Sequence, residues 1–568
     1  MTAGPVSRRA IWLLVLLAAL VWFANLEVRK LVRPDEGRYA EIPREMVASG
    51  DWLTPRLNSF KYFEKPPLQY WATAAAYEAF GQAHWTARLW PALTGFLGIL
   101  FTAFAGMRLW GRRAGFYAGL VCGSSLLYVL IGHLNTLDMG VSFFLNVGVL
   151  SLALAQRARE PDSTRNWMLL AWASLGLAIL SKGLIGAVLP GAAFVVYSVL
   201  FRDFAAWKKL HIVKGVLVML AVTAPWFIWV SIVNPEFAYF FFIVEHWQRF
   251  TEPGHARTGV WYYFVPILLG GILPWTLMLL DALPRAVSRE PTEGFQTRRF
   301  LLVWAVLVFV FFSISKSKLP SYILPIFPAL ALLIGERATR MSPRLLLWCI
   351  LPMAALGAVV AGLSPKVVRF ASDEVPVSLY LGYAPWLLAA GLFLFVGAGL
   401  AAWWARAGRA AGAIATMGVA GLISGQLALT GHDSLARASS SYYLAPLITP
   451  HLRPGLPFYS LEMYEQTLPF YLQRPLTLVE YRDEMGFGID LEPAKALPNY
   501  TEFGKLWMRA DHAGALAIMA PDTIKYFDQH QLPYEIIARD TRRLVVRKPA
   551  SPADKPAQAP QAAPYSGS

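Results

Sequence analysis

Two carboxylate stretches and a scattered set of cations are the residues of this chain whose types and spacing could do chemistry. Asp35-Glu36 opens the segment RPDEGRYAEIPREM, in which Arg38, Tyr39, Glu41, Arg44 and Glu45 follow. A second acid, Asp138, closes the segment HLNTLD. Each acid stands at the end of a long apolar run. A carboxylate at a membrane boundary is costly to desolvate and is kept there for a partner or a substrate. Asp35 and Asp138 therefore form a candidate catalytic pair, for acid/base work or for holding a cation. Acids at a helix start are also favoured by the helix dipole, and Glu41, Arg44 and Glu45 read equally as a solvated charged helix.

The cations on the same side are Lys61, Lys65, Lys182, Arg249, Arg257, Lys316 and Lys318. Outer loops of membrane proteins are ordinarily depleted of Lys and Arg. Cations kept there point to anionic ligands such as phosphates, although snorkelling at the interface accounts for each one taken singly. Glu36, Arg38, Tyr39, Tyr62, Glu64, His246 and Tyr322 complete the candidate substrate-binding set. Glu64 and His246 also offer an O/N ligand pair for a divalent metal, short of the three or four protein ligands usual in such sites. Ordinary hydrogen-bonded side chains are the alternative, and no cofactor is required. No GxxxxGK[ST] or strand-borne GxGxxG occurs, so a soluble nucleotide sugar is not the expected donor.

These residues have to be positioned by a membrane scaffold. The chain has 568 residues, of which 56% are hydrophobic and only 15% charged, against about 25% charged in an ordinary soluble domain. Mean hydropathy is +0.44. Lys and Arg exceed Asp and Glu by 15, but the excess lies in short clusters between apolar runs, unlike the wet basic face of a nucleic-acid binder. Cys122 and Cys349 both lie inside apolar runs, which leaves no disulfide framework.

Apolar runs occupy 10–28, 89–107, 114–132, 140–155, 167–180, 184–201, 213–233, 261–280, 300–314, 319–335, 345–363, 384–404 and 411–430. They predict a polytopic α-helical membrane protein with about 13 transmembrane helices. With that count every basic cluster, from Arg8/Arg9 to Arg406/Arg409, falls on the cytoplasmic side. Residues 66–80 would break the pattern as a span, so they are expected to form a non-spanning juxtamembrane helix. The first run is expected to be retained, for it lacks a small-x-small cleavage site.

The expected organisation is a transmembrane domain over 1–430, whose outer loop 29–88 carries juxtamembrane helices, a small α/β domain over 431–549, and a disordered tail over 550–568. The α/β reading rests on strands at 457–461, 476–480, 515–520, 534–538 and 543–547, alternating with helical stretches. The tail is rich in Pro, Ala and Ser.

At the quoted residues the sequence resembles the glycosyltransferase C superfamily, whose members use lipid-phosphate-linked sugars. DEGRYAEIPREM, KYFEKPPLQYW, FFIVEHWQRF and SKSKLPSYILPIFPAL are similar to the bacterial aminoarabinose transferases that modify lipid A. The resemblance implies transfer of 4-amino-4-deoxy-L-arabinose from undecaprenyl phosphate to a lipid A phosphate, with inversion at the anomeric carbon and, through the family, resistance to cationic peptides. It also implies a monomer in the bacterial inner membrane, with active site and C-terminus periplasmic, a lipid-linked donor, lipid A acceptor and membrane lipids as partners, and no nucleic acid. Two other readings stay open: a transferase of another polyprenyl-linked sugar to protein or envelope glycan, and a lipid flippase. A flippase would place charges near the midplane on broken or repeated spans.

Overall fold

The structure is a computed structural model that describes residues 8–248, 259–291 and 294–549. Every apolar run contains a helix. Among the described residues eight helices are long and apolar enough to cross a membrane, and two bent pairs bring the number to ten. The other three runs form the helices Arg8–Phe23, Pro161–Lys182 and Ile185–Phe201.

The two bent pairs explain each other. Arg112–Ser124 and Leu126–Gly132 meet at 63°, and Phe264–Gly271 and Thr276–Ala286 at 110°. At the two breaks Leu126 N–H donates to Leu273 O at 3.0 Å, and Trp275 Nε1 donates to Ser124 Oγ at 2.9 Å. Freed backbone groups inside a bilayer must find protein partners, and here each broken helix supplies them to the other. The second pair starts beside Lys318, which lies over the Phe264 ring at 5.9 Å, and ends where Asp281 accepts from Arg337 at 2.6 Å.

Side-chain contacts sort the loops into two separate ends. At one end Glu36 accepts from Asn135 N–H, Asp138 pairs with Lys182, Lys61 with Glu236, Lys65 with Glu245 and Arg33 with Glu374. At the other, Glu290 takes Trp110 and Arg157, Glu336 takes Arg298 and Arg340, and Asp281 takes Arg285 and Arg337. The first set joins the loops expected outside and the second those expected inside.

Residues 66–80 give the helix Leu68–Phe80, which packs beneath a second juxtamembrane helix, Asp35–Ser49; Tyr77 Oη donates to Ala40 O at 3.3 Å. Between the two helices a hairpin pairs β1 (Arg56–Leu57) with β2 (Phe60–Lys61).

The C-terminal sheet contains β3 (Phe458–Leu461), β4 (Thr477–Val479), β5 (Ala496–Leu497), β6 (Leu516–Met519), β7 (Glu535–Arg539) and β8 (Leu544–Arg547). Their order is β5-β4-β3-β6-β8-β7, parallel from β5 to β6 and antiparallel at the β8 and β7 edge. All five expected strands are present. β5, of only two residues, has no alternation long enough to signal it.

This sheet unit sits directly on the juxtamembrane helix. A Cβ at Gly37 would lie 2.6 Å from the Gln466 carbonyl carbon, so only glycine permits the approach. Asn58 braces the same contact, donating to Leu476 O at 2.8 Å and accepting from Leu476 N–H at 2.7 Å. The solvated-helix reading of Glu41, Arg44 and Glu45 is therefore corrected. Glu41 and Arg44 are buried, 0% and 5% exposed, and joined by two hydrogen bonds of 2.6 Å, because a distant part of the chain covers them.

Candidate active site at one end of the bundle

Asp35 is the first residue of helix Asp35–Ser49, and Asp138 lies in the first turn of helix Leu137–Arg157. Both carboxylates thus sit at helix N-termini, where the dipole favours negative charge. Lys182 ends helix Pro161–Lys182, where a cation is favoured, and Gly183 closes that helix at φ +86°. Lys182 Nζ donates to Asp138 Oδ1 and lies over the Tyr322 ring, 4.7 Å from its centroid. Below this pair a narrow cleft opens between helices, lined by Val141, Leu145, Ile185, Leu189, Phe312 and Pro325. The cleft is tight, with about 10 Å³ of open volume, and combines charge at its mouth with hydrocarbon below.

Asp35 belongs to the same centre. Its carboxylate accepts from Arg38 Nη1 at 3.1 Å, and its side chain keeps 32% of its exposure. The other side of Arg38 is held by Glu484, which comes from the C-terminal unit and in turn accepts from Gln466 at 3.0 Å. Tyr39 registers the convergence: burial raises its hydroxyl pKa, the charges of Asp35, Glu64 and Asp138 raise it further, and Arg38 opposes them. Residues from three separate stretches therefore act on one phenol.

Around this centre several buried polar atoms are unsatisfied. Tyr39 and Tyr70 stack with ring centroids 6.2 Å apart. The Tyr62 and Tyr70 hydroxyls, Arg38 Nε, Gln69 Oε1 and Thr73 Oγ1 are buried without a hydrogen-bond partner among the described residues. Each such group costs about 1–3 kcal/mol when left unmade, so the cluster favours a polar ligand that satisfies it.

Several expected residues are placed differently from one another. Lys65 Nζ donates to Glu64 O at 2.7 Å and to Glu245 at 3.2 Å, on segment Tyr239–Gln248. Lys318 turns away from the centre and donates to the carbonyls of Ser313 at 2.6 Å and Ser315 at 2.8 Å, closing the end of helix Thr297–Ile314. Lys316 is exposed. Arg249, Arg257 and the His246 side chain lie outside the described residues, and with them the second half of the Glu64/His246 metal pair. Among the described residues no three His, Cys, Asp or Glu side chains converge on a common point.

Glu36 is committed to the scaffold. It accepts from Arg88 Nε at 2.7 Å and Nη2 at 2.9 Å, with Arg29 3.9 Å away. Burial alone would raise its carboxyl pKa, but these guanidiniums and the Asn135 N–H outweigh it and hold the group at about 2. Arg88 also donates to the carbonyls of Leu26, Arg29 and Lys30, which fixes the backbone leading into Asp35.

Glu245, Glu484, Tyr70, Gln69, Thr73 and Arg88 are residues at this end that the sequence does not single out. Glu245 stands beside His246 in FFIVEHWQRF, and that adjacency was its signal. Glu484 lies in a surface-like run of charges with no local mark of its role.

The comparisons with known proteins agree with this layout. Residues 444–548 match the aminoarabinose transferase C-terminal domain, and residues 64–229 match dolichyl-phosphate-mannose-protein mannosyltransferase. A crystal structure of ArnT from Cupriavidus metallidurans bound to undecaprenyl phosphate superposes with a TM-score of 0.91 at 40% identity, covering 97% of this chain and 100% of that one. An undecaprenyl phosphate-alpha-4-amino-4-deoxy-L-arabinose arabinosyl transferase of Serratia proteamaculans is 34% identical over 66% of this chain and 70% of its own length. The like-named protein of Erwinia tasmaniensis is 34% identical over 57% of this chain, and the match spans 58% of that relative's length. By this similarity, running through membrane bundle and C-terminal unit alike, the chain belongs to the aminoarabinose transferase family of glycosyltransferase C enzymes.

Proposed function

We propose that the protein is a glycosyltransferase that moves 4-amino-4-deoxy-L-arabinose from undecaprenyl phosphate to a phosphate of lipid A, at the periplasmic face of the bacterial inner membrane. The observation that carries the reading is the Asp138–Lys182 pair at the mouth of an apolar cleft, with Asp35 and Arg38 beside it. The apolar walls of the cleft suit contact with a polyprenyl chain, which would have to part the helices to enter, and Lys182, Lys65 and the exposed Lys316 suit the phosphate at its end. The orphaned hydroxyls of Tyr62 and Tyr70 suit a sugar. The relatives' names and the neighbour solved with undecaprenyl phosphate support the same donor.

In this reading an oxygen of the acceptor phosphate attacks the anomeric carbon as the bond from that carbon to the donor phosphate oxygen breaks. The electron pair leaves with undecaprenyl phosphate, which gains a negative charge that nearby cations stabilise. The acceptor phosphate is already ionised near neutral pH. Asp35 therefore acts by orienting Arg38 and the cationic sugar amine, and direct displacement inverts the anomeric centre. Glu36 positions the loop through Arg88. The enzyme acts as a monomer, and no step here requires a metal.

Purified full-length protein, given the lipid-linked aminosugar and lipid A, is expected to yield lipid A carrying one added pentosamine per modified phosphate. No product with that donor, but transfer from another polyprenyl-linked sugar, would sink the assignment.

Lys65→Ala should harm use of the donor first. Losing a charge-assisted contact costs about 1.5–3 kcal/mol, or roughly 10- to 150-fold in donor affinity or turnover. Because Arg differs in reach and geometry, Lys65→Arg should rescue only partly. Donor titration at fixed lipid A decides this, and unchanged donor dependence with unchanged turnover would remove Lys65 from the site.

The proposed topology, about 13 spans, places the C-terminal unit on the same side as Asp35. A reporter active only in the cytoplasm, fused after Lys548, should be silent. A strong signal would overturn the arrangement.

A further inference from the structure

The opposite end of the bundle holds a second cavity, about 150 Å³ in volume, that the transfer reaction does not use. Helix Phe327–Ala338 and the turn before it span the distance: Tyr322 faces Lys182 at one end, and Arg337 reaches the cavity at the other. Fifteen residues of helix amount to about 22 Å, most of the ~30 Å hydrocarbon core.

Four guanidiniums line this cavity, those of Arg285, Arg298, Arg337 and Arg340. Two carboxylates serve them: Asp281 accepts from Arg285 and Arg337, while Glu336 takes Arg340 at 2.9 Å and lies 3.9 Å from Arg298. The four lining guanidiniums outnumber the two carboxylates that serve them, and Glu290, which accepts from Arg298 N–H at 3.1 Å, is itself matched by Arg157. Placing like charges around a cavity is costly unless an anion shares it.

A preference for cytoplasmic basic residues alone would leave them in water, as snorkelling ends. Arg298 does otherwise. It is only 7% exposed, and its Nε is buried without a hydrogen-bond partner. One of its remaining nitrogens is spent on Arg289 O at 3.2 Å. A nearly buried guanidinium thus stands at the wall of a cavity lined by three others, and guanidiniums gathered in this way suit a phosphate group.

We propose that this cavity is an anion site for a phosphate group, distinct from the transfer centre and at the far membrane boundary. Basic pockets between helices at such boundaries take anionic headgroups; a free phosphate presents the same oxygens. Removing each arginine should weaken binding about fivefold.

The test uses purified full-length protein in nanodiscs, with phosphatidylglycerol as one probe and inorganic phosphate as the other. Arg285 and Arg340 are 52% and 60% exposed at their side chains, so Arg285→Ala/Arg340→Ala should fold; Arg298→Gln probes the buried donor. Arg406→Ala/Arg409→Ala, on a different helix end, controls for general loss of positive charge. Native mass spectrometry should show phosphatidylglycerol retained by wild type and control, reduced about fivefold in Arg298→Gln and further in the double variant, which assigns a lipid headgroup. Alternatively, inorganic phosphate raises the melting temperature of wild type and control at matched ionic strength but not of the cavity variants, which assigns a free phosphate. Equal lipid retention and equal phosphate response in wild type, control and cavity variants would overturn the proposal.

Discussion

Asp35→Asn is expected to lower sugar transfer by about 100- to 1,000-fold, the scale of losing one preorganised electrostatic contact, while leaving a folded, membrane-inserted protein. Asparagine keeps the shape of aspartate and removes its charge. Arg38 would still be held by Glu484, and the Arg88 clamp on Glu36 would be untouched, so the helix should stay seated. Asp138→Asn should also impair transfer. It leaves Lys182 without its carboxylate at a position only 15% exposed, so part of that loss would be structural. Comparing transfer with thermal unfolding of each purified variant separates the two effects. Near-normal turnover by Asp35→Asn would show that its place at the boundary serves no catalytic purpose.

The second large effect is on stability. Arg88 is fully buried and makes five hydrogen bonds, two to Glu36 and three to carbonyls of the incoming loop. Arg88→Met fills the same space and strands a buried carboxylate, which should cost about 3–5 kcal/mol. The sign of its pH dependence follows from Glu36. Because the native carboxyl is held at about 2 against an ordinary 4.5, its contribution is present above 4.5 and lost as pH falls toward 2. In the variant, burial without Arg88 favours the protonated acid. The gap in melting temperature between wild type and Arg88→Met should therefore narrow as pH drops from 5 to 3. A constant gap would mean that the clamp is not electrostatic.

The carboxylate–cation centre was legible in the sequence because each member breaks a local rule. Asp35 and Asp138 place charge at the ends of apolar runs, and Lys182 interrupts two of them. Topology followed from charge placement along the chain, and the contacts that gather Glu290, Glu336 and Asp281 at one end agree with it. Strands β3, β4 and β6 to β8 were legible from alternation.

What was hidden depends on contacts between residues hundreds of positions apart. Nothing near Glu41 or Arg44 announces that Gln466 and Thr467 will lie against Gly37 and that the middle of the helix will be buried. Glu484 is invisible for the same reason. Lys318 and Lys65 share a type and a membrane side, yet one caps a helix and the other bridges two acids. Residue type sets the available chemistry; the backbone a few ångströms away decides how much of it is left for a ligand.

The most direct measurement is the mass of lipid A from bacteria that lack their own aminoarabinose transferase but still make the lipid-linked donor. Expressing this protein should add pentosamine to lipid A phosphate, and expressing equal amounts of membrane-inserted Asp35→Asn should not. Unmodified lipid A with the wild-type chain present in the membrane, or equal modification by both forms, would contradict the account.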